Sequence, residues 1–206
     1  MFVTLEGGEG SGKSTIIRML QDFFNNEGID FIVTREPGGT DIGKQIREVI
    51  VNKENTMMDS ETEALLYAAD RNQHLKETIL PALNAGRMVI CDRYVDSNFV
   101  YQGYARGLGI EKILKANEAI NYKIPDLTLY FDLDPEIGLN RINKDKNREV
   151  NRLDLESLDF HKKVRNGYLE LAKQFDRIVI IDANRSPEEI FNDVKKIIIS
   201  KIKELN

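Results

Sequence analysis

A glycine-rich octapeptide near the amino terminus constrains the fold of this chain most strongly. It reads Gly7-Gly8-Glu9-Gly10-Ser11-Gly12-Lys13-Ser14 and meets the spacing G-x-x-x-x-G-K-[S/T] in full. The apolar run Phe2-Val3-Thr4-Leu5 precedes it, and a helical pattern of apolar residues begins near Lys13. This strand–loop–helix order is typical of a phosphate-binding loop, in which backbone N–H groups and a helix amino terminus surround a phosphate. The sequence therefore predicts that the loop binds a nucleoside triphosphate.

The two polar residues that end the motif have distinct expected tasks. The Lys13 ammonium would reach the β- and γ-phosphates, and the Ser14 hydroxyl would complete the coordination of Mg²⁺. The loop predicts the ligand but does not by itself say what happens to the phosphate.

Composition excludes several classes of protein. A chain of 206 residues is expected to form one domain with a substantial core. The formal charge of −5 argues against broad binding to nucleic acid. A single cysteine, Cys91, excludes an intrachain disulfide framework and a clustered-cysteine zinc site. With no secretory signal and no apolar run of membrane-spanning length, we expect a cytoplasmic protein without a membrane partner.

Short apolar runs alternate with helical patterns along the chain. The predicted strands are Phe2–Glu6, Phe31–Thr34, Arg87–Asp92, Leu127–Asp132 and Arg177–Asp182. The predicted helices are 12–27, 41–51, 59–85, a broken pair over 97–121, 135–143, 155–174 and 187–205. Nearly continuous apolar strands are buried on both faces, as in a parallel sheet covered by helices. We expect an α/β fold of the doubly wound type, with right-handed crossovers.

Ligands of such folds bind beyond the carboxyl ends of the strands, so the residues that follow each strand are candidate site residues. Arg35 follows the second strand in a Pro-Gly-Gly turn, which could also be a solvated surface turn. Asp92 and Arg93 end the third strand, where a carboxylate would order Mg²⁺ and a guanidinium would meet a phosphate. A buried structural pair is the alternative. Asp132 is a rival carboxylate, but we favour Asp92, because Asp132 lies in a helix-capping sequence.

A polar segment from Arg141 to Arg152 lies between two helical patterns. It is either a solvated surface loop or a lid whose arginines close over a triphosphate. Opposite a phosphate-binding loop we prefer the lid.

Helical spacing brings further candidates together. Tyr67 and Arg71 are four residues apart, so they share a helix face and could stack on a base and bond to its edge. Core packing is the alternative for Tyr67. Asn98, Tyr101 and Gln102 are likewise three and four residues apart, and an amide can pair with a pyrimidine edge.

These motifs together resemble the bacterial thymidylate kinases, over nearly the whole chain and in order. The segments that carry the resemblance are the P-loop with Glu9, the Arg35-Glu36-Pro37-Gly38-Gly39 turn, Asp92-Arg93-Tyr94, Tyr101-Gln102-Gly103-Tyr104-Ala105-Arg106-Gly107 and Asn151-Arg152-Leu153-Asp154. The resemblance implies a P-loop NTPase-type fold with a five-stranded parallel sheet, a single kinase domain over residues 1–206 and an arginine-bearing lid at about 142–153. It also implies Mg²⁺-dependent transfer of the γ-phosphoryl group of ATP to dTMP, giving dTDP for dTTP biosynthesis, by a homodimer.

The resemblance also implies residue roles. Gly7 to Thr15 would bind the ATP phosphates, with Arg141 a wall for the adenine. Lys13, Asp92, Arg93, Arg148 and Arg152 would serve catalysis, and Ser14 and Asp92 would hold the metal. Glu9, Arg35, Arg47, Tyr67, Arg71, Arg93, Asn98, Tyr101 and Gln102 would bind dTMP. Among these, Glu9 would accept a hydrogen bond from the 3′-hydroxyl, Tyr67 would stack on thymine and Tyr101 would exclude a 2′-hydroxyl.

Two positions depart from related patterns. Gly10 stands where another type of the family carries an arginine, so this chain should depend on Arg148 and Arg152 of the lid. Tyr67 stands where the family often has phenylalanine, and its hydroxyl needs a partner if it is buried.

Alternative functions remain. A kinase of another nucleoside monophosphate would share the architecture and differ in the base pocket. A GTP-dependent switch would require a guanine-reading Asn-Lys-x-Asp segment, which the sequence lacks. A pure nucleotide-binding module would leave the arginines at the strand ends without a purpose.

Overall fold

A five-stranded parallel sheet forms the centre of the molecule, in the order β2-β3-β1-β4-β5. The computed structural model describes residues 1–118, 120–144 and 151–205. The strands are β1 (Phe2–Gly7), β2 (Phe31–Arg35), β3 (Met88–Asp92), β4 (Leu127–Asp132) and β5 (Ile178–Asp182). The predicted strands and the doubly wound α/β class are confirmed, with strand ends that differ by at most one residue.

Helices cover both faces of the sheet. They are α1 (Lys13–Asn26), α2 (Asp41–Val51), α3 (Ser60–His74), α4 (Leu80–Asn84), α5 (Val95–Asn98), α6 (Ile110–Glu118), α7 (Pro135–Lys144), α8 (Leu158–Gln174) and α9 (Pro187–Leu205). Among the described residues, no helix is both long and apolar enough to cross a membrane.

Two of the predicted helices contain wider turns. A π-helical stretch, Leu75–Ile79, joins α3 to α4, and another, Phe99–Ala105, follows α5. Such π turns are frequent at functional sites because they shift the helix face on which side chains lie. The second one carries Tyr101 and Gln102, two of the predicted binding residues.

The apolar core lies in two layers, one on each face of the sheet. One layer packs α1 and α9 against β1, β3 and β4 through residues such as Leu5, Leu20 and Val194. The other packs α5, α8 and the Phe99–Ala105 turn against the opposite face through residues such as Val100 and Tyr168. Because both faces are covered, the inner strands read as continuous apolar runs.

Strand register brings the polar strand ends to one edge of the sheet. Leu5 of β1 pairs with Asp92 of β3, and Asp92 pairs with Arg35 of β2. The carboxyl ends of all five strands meet at this edge, since all the pairings are parallel. The fold therefore places the loop after β1 beside Arg35, Asp92 and Arg93.

Candidate functional site

The loop between β1 and α1 has the conformation of an anion-binding loop. Gly7, Gly10 and Gly12 have φ angles of 148°, 69° and 89°, in the region that favours glycine. Helix α1 begins at Lys13, so its amino terminus points into the loop. The Lys13 ammonium donates to the Gly7 and Gly8 carbonyls at 3.0 and 3.1 Å and lies across the loop.

The loop packs tightly against helix α7. A methyl group at Gly10 would overlap the carbonyl of Gly138, and one at Gly138 would overlap the carbonyl of Glu9. The close approach of α7 therefore gives a steric reason for glycine at position 10. A larger side chain there would displace either the loop or α7.

Arg93, which follows β3, is held in an unusual backbone conformation. Its φ is +66°, a left-handed value that costs a non-glycine residue roughly 1–2 kcal/mol. Its guanidinium donates to Glu9 Oε1 at 2.6 Å and to the Tyr101 hydroxyl at 3.1 Å. The loop and the π turn are thus connected through one arginine.

One cavity of about 550 Å³ contains most of the predicted site. Of the residues named from the sequence, its walls include Glu9, Gly10, Ser11, Gly12, Lys13, Ser14, Thr15, Arg35, Arg47, Tyr67, Arg71, Asp92, Arg93, Tyr101 and Gln102. Its size suits a nucleotide-scale ligand, within the range of about 300–1,000 Å³ typical of small-molecule sites. The structure thereby brings the P-loop, the strand-end arginines and the aromatic–guanidinium pair into one place.

Burial and charge set the protonation of the central lysine. Burial and the nearby Arg93 lower the pKa of Lys13 to about 8, against the attraction of Asp92, Glu9 and Glu6. The ammonium is still the main form at neutral pH. A phosphate group in the cavity would favour the charged form further.

A buried network fixes the turn that carries Arg35. The His74 ring contacts Thr34 Oγ1 at 2.6 Å and Glu36 Oε1 at 2.9 Å, and Asp70 Oδ1 accepts from the Gly38 amide at 3.0 Å. Arg35 itself is exposed at the rim of the cavity. The interpretation of this turn as a plain solvated turn is not supported, because its inner side is ordered by buried polar groups.

The side chains around Arg71 form two layers. Arg71 is 1% exposed, and its Nε lies 3.0 Å from Glu36 Oε2, while Nη1 donates to Asn117 Oδ1 at 2.7 Å. Asn98 accepts from Arg71 at 3.3 Å and donates to Gln102 at 2.9 Å. Asn98 is thus behind Arg71 and, of the described residues, is not one that lines the cavity.

Of the two predicted lid arginines, the described residues include Arg152. Arg148 lies outside the described residues. Arg152 is buried, donates through Nε to the Ile50 carbonyl at 3.0 Å and pairs through Nη2 with Glu63. Asn151 and Leu153, on either side of Arg152, are among the described residues that line the cavity, whereas Arg152 is not.

Arg141, in α7, contacts the P-loop. Its guanidinium donates to the Gly10 carbonyl at 3.2 Å and to the Ala183 carbonyl at 3.5 Å. Arg141, the residue that the resemblance suggested as a wall for the adenine, therefore joins the P-loop to the turn after β5.

The two rival carboxylates have different surroundings. Asp132 forms a two-pronged ion pair with Arg165, at 2.7 and 2.9 Å, and lies off the main cavity wall formed by the described residues. Asp92 lines the cavity, and its Oδ1 is buried without a hydrogen-bond partner among the described residues. The helix-capping role belongs to Asp134, whose carboxylate accepts from the Glu136 amide.

The residues around Asp92 suit a magnesium ion shared with a phosphate ligand. The described residues include no cluster of three or more His, Cys, Asp or Glu side chains that could hold a metal. Mg²⁺ usually binds through one or two carboxylates, waters and substrate phosphates, so no such cluster is needed. The unpartnered Asp92 oxygen and the exposed Ser14 hydroxyl on the same cavity fit that kind of site.

Sequence reasoning missed four residues that shape the site: Glu6, Glu63, Asn117 and Gly138. Glu63 is 1% exposed and accepts from Gln102 at 2.6 Å, from Arg106 and from Arg152. Burial by itself would raise the pKa of Glu63, but the hydrogen bonds and the two positive charges lower it below its ordinary value. The sequence contained a signal for two of them. Gly138 is a glycine inside a helix, and Glu6 is an acid at the end of a buried strand. Each destabilises the folded protein unless other contacts compensate. Glu63 and Asn117 had no comparable signal.

Comparisons with known proteins agree with this geometry. A family model described as thymidylate kinase matches residues 5–194. A thymidylate kinase of Clostridium novyi is 56% identical over 196 residues, covering 94% of this chain and 96% of its own length. A thymidylate kinase of Bacillus velezensis is 51% identical over 207 residues, covering 100% of this chain and 98% of its own length.

Solved structures give the same result. The crystal structure of a thymidylate kinase from Ehrlichia chaffeensis superposes with a TM-score of 0.76 at 29% identity, covering 96% of this chain and 97% of that one. Together with the matched family model, these similarities extend over nearly the whole chain, the P-loop included. The chain belongs to the thymidylate kinase family.

Proposed function

We propose that this protein transfers the γ-phosphoryl group of ATP to dTMP, producing dTDP and ADP. The observation that carries the proposal is the single cavity that joins the P-loop, the strand-end arginines and the Tyr67–Arg71 pair. Membership of the thymidylate kinase family supports the choice of both substrates.

The transfer forms one bond and breaks one. A phosphate oxygen of dTMP bonds to the γ-phosphorus of ATP, and the bond from that phosphorus to the β–γ bridging oxygen breaks, leaving ADP. The second pKa of a phosphate monoester is about 6, so the attacking oxygen is already largely ionised and needs no general base. The protein's task is to align the two phosphates and to balance their charge.

The donor side of the cavity consists of the residues from Gly7 to Thr15. Backbone N–H groups of the loop and the amino terminus of α1 would bind the ATP phosphates. Lys13 would leave the carbonyls of Gly7 and Gly8 for the β- and γ-phosphates. Arg141, which already bridges the loop and the turn after β5, is proposed as a wall for the adenine.

We infer that Asp92 and Ser14 hold Mg²⁺ together with the phosphates. When bound, the ion would neutralise charge on the β- and γ-phosphate oxygens. Asp92 would in addition keep Arg93 close to the acceptor, as the two residues are adjacent at the end of β3.

The acceptor side is proposed to recognise dTMP through three kinds of contact. Arg35, Arg47 and Arg93 would bind its phosphate, and Glu9 would accept a hydrogen bond from the 3′-hydroxyl. Tyr67 would stack on thymine, and Arg71 and Asn98 would read its polar edge, with Gln102 close by. Because Asn98 lies behind Arg71, it would act by orienting the guanidinium unless dTMP binding turns it into the cavity. Tyr101 would exclude a 2′-hydroxyl.

We infer that the chain is a single kinase domain and that residues at about 142–153 form its lid. Ile142, Asn151 and Leu153 line the cavity from this segment, which supports that placement. Arg148 and Arg152 are proposed to bring positive charge to the triphosphate. For Arg152 this requires that its pair with Glu63 opens when ATP binds.

The same proposal includes a cytoplasmic homodimer. Leu65, which is 61% exposed, and Ala69, one turn later, form a small exposed apolar patch on α3 that a second copy could cover. The buried free thiol of Cys91 is compatible with a reducing compartment.

A coupled ATP-consumption assay across dTMP, dUMP, AMP, CMP and GMP tests the substrate. We expect the highest kcat/KM with dTMP. Some activity with dUMP is compatible with the proposal, since one missing methyl group is worth only ~1–3 kcal/mol. Faster turnover of AMP or CMP would instead identify a kinase of another nucleoside monophosphate.

A further inference from the structure

The left-handed conformation of Arg93 is held by strand β1 from both sides. The Arg93 amide donates to the Leu5 carbonyl at 2.9 Å, and the next amide, that of Tyr94, donates to Glu6 Oε1 at 2.8 Å. Both peptide groups that flank the Arg93 Cα are therefore bonded to consecutive residues of β1. A residue with a φ of +66° keeps that conformation only where its surroundings impose it.

The Glu6 carboxylate is itself fixed in place. It is 0% exposed, and its Oε2 accepts from Ser97 Oγ at 2.5 Å and from the Tyr168 hydroxyl at 2.8 Å. Ser97 belongs to α5 and Tyr168 to α8, so two helices determine where the carboxylate points. Its other oxygen is then left in position for the Tyr94 amide.

We propose that Glu6 is a positioning residue for phosphoryl transfer: it holds the Arg93 backbone in its left-handed conformation and so directs the guanidinium into the cavity. This inference rests on the proposed function, in which Arg93 meets the acceptor phosphate. In this conformation of its backbone, Arg93 reaches Glu9 at 2.6 Å and Tyr101 at 3.1 Å. Glu6 touches neither substrate in this scheme and acts through Arg93.

Burial of the Glu6 carboxylate costs free energy, and core packing gives no reason for a carboxylate there. A carboxylate at the end of a buried strand loses its hydration, whereas an apolar side chain of similar size would not. An apolar side chain would, however, leave the buried Tyr94 amide unpaired. The ionisable groups that interact electrostatically with Glu6 include Lys13, Cys91, Arg93, Asp96, Tyr101, Tyr168 and Arg177.

The test is a double-mutant cycle with Glu6→Met and Arg93→Ala in the full chain. Methionine matches the length of glutamate but cannot accept the Tyr94 amide, and Ser97 and Tyr168 can still bond to each other at 3.0 Å. We expect Glu6→Met to lower kcat with dTMP by about 100-fold, the scale of a small misplacement of a reacting group. In the Arg93→Ala background the same substitution should have little further effect, because the group that it misplaces is absent. A double variant as impaired as the product of the two single effects would overturn the proposal.

Two control variants separate the hydrogen bond from the charge and from packing. Glu6→Gln keeps an oxygen for the Tyr94 amide and can donate to the Ser97 and Tyr168 hydroxyls, so it should retain kcat to within about threefold. Tyr168→Phe removes the bonds of the Tyr168 hydroxyl to Oε2 and to Ser97 Oγ. It keeps the bond from Ser97 to Oε2 and the bond from the Tyr94 amide to Oε1, so it should also retain kcat. Loss of turnover in Glu6→Gln as large as in Glu6→Met would contradict the proposal, because the amide acceptor is still present.

A measurement on the unaltered protein covers the case in which Glu6→Met does not fold. A scalar coupling across the hydrogen bond, between the Tyr94 amide nitrogen and the Glu6 carboxyl carbon, should be detectable by NMR. It should persist in Tyr168→Phe, and its absence in the unaltered protein would overturn the proposal. If the unaltered protein phosphorylates dTMP while the cycle is additive, only the role of Glu6 fails. If it phosphorylates no nucleotide, the proposed function fails, and the NMR coupling still reports on Glu6.

Discussion

Arg152 illustrates at the residue scale how one side chain could serve both stability and turnover. In the structure it is buried, bonded to the Ile50 carbonyl and paired with Glu63, which also accepts from Gln102 and Arg106. The positive charge of Arg152 is therefore already paired with Glu63 before any nucleotide binds. A role for Arg152 at the triphosphate would require exchange of one partner for another.

We predict that Arg152→Ala destabilises the protein by about 3 kcal/mol, because removing one member of a buried pair leaves the other charge poorly compensated. Arg106 and Gln102 still bond to Glu63, so the loss should lie at the lower end of the range for such pairs. Urea-induced unfolding measures it. At urea concentrations below the unfolding midpoint, where the variant is still folded, we also expect its kcat to fall strongly while its affinity for dTMP changes little.

Arg185→Ala is the matched control. Arg185 pairs with Asp193 at 2.8 Å, but the two side chains are 33% and 41% exposed. Such surface pairs contribute about 0–1 kcal/mol. Equal losses of stability in the two variants would show that the Glu63 pair has no special weight.

At the element scale, the contact between α7 and the P-loop sets how closely a helix can approach the phosphate site. Gly138 lies inside α7, and its lack of a side chain lets the helix meet the Glu9 carbonyl. A glycine inside a helix normally costs roughly 0.5–1 kcal/mol relative to alanine. At position 138 an alanine would be less favourable than glycine, because its methyl group would overlap the P-loop.

We predict that Gly138→Ala reverses the usual sign of a glycine-to-alanine substitution in a helix. Instead of a gain, stability should fall by ~1–3 kcal/mol, the typical effect of overpacking. The KM for ATP should rise, because the loop would be pushed out of place. Thermal unfolding and steady-state kinetics measure the two effects.

Asn140→Ala, on the exposed side of the same helix, controls for helix propensity. It should change stability by at most about 0.5 kcal/mol and leave the KM for ATP unaltered. A stabilised Gly138→Ala variant with an unchanged KM would show that the contact with the loop is loose.

The sequence predicted the elements well where a simple period or motif governs them. Helix α2 and the last helix, Pro187–Leu205, were predicted with their observed ends, because a capping residue or a first-turn proline marks the start of each. The π turns at Leu75–Ile79 and Phe99–Ala105 were not predicted. They depend on tertiary packing, which shifts the hydrophobic period by one residue without any local signal.

At the scale of the whole molecule, buried carboxylates beneath the cavity make stability depend on pH. Burial and the neighbouring Asp96 raise the pKa of Glu6 to about 7, in spite of hydrogen bonds from Ser97 and Tyr168 and the attraction of Arg93. Burial and Glu36 likewise raise the pKa of Asp70 to about 6. Each group binds a proton more tightly in the folded chain than in the unfolded one.

We predict that Glu6→Gln makes the protein more stable relative to the unaltered chain as the pH rises from about 4.5 to 7. A raised carboxyl pKa means that the folded state holds the proton longer, so stability falls as pH rises through this window. A difference of about 2.5 pKa units corresponds to about 3 kcal/mol. Urea unfolding midpoints of both proteins between pH 4.5 and 8 measure it.

Asp70 is present in both proteins, so its contribution cancels in the comparison. Glu27→Gln, at an exposed position, should change the free energy of unfolding by at most about 0.5 kcal/mol. A Glu6→Gln difference that stays flat across the same range would show that Glu6 releases its proton at the same pH in the folded and the unfolded chain.

Most of the candidate site could be predicted from the sequence because its residues lie in short motifs at strand ends. Glu9, Arg35, Asp92 and Arg93 were found in this way, and parallel strand register brings them together. The partners of Arg152 and Arg71 could not be predicted, because Glu63 and Asn117 meet them only through packing of distant helices. Hydrogen bonds between residues far apart in sequence leave no local pattern.

The most direct test of phosphoryl transfer follows the γ-phosphate itself. ATP labelled with ³²P at the γ-position is incubated with the protein, Mg²⁺ and dTMP, and the products are separated. Direct transfer between two substrates in one cavity predicts that label appears in dTDP in proportion to the ADP formed, with little free phosphate. Label found only in free phosphate, with dTMP unchanged, would contradict a dTMP kinase.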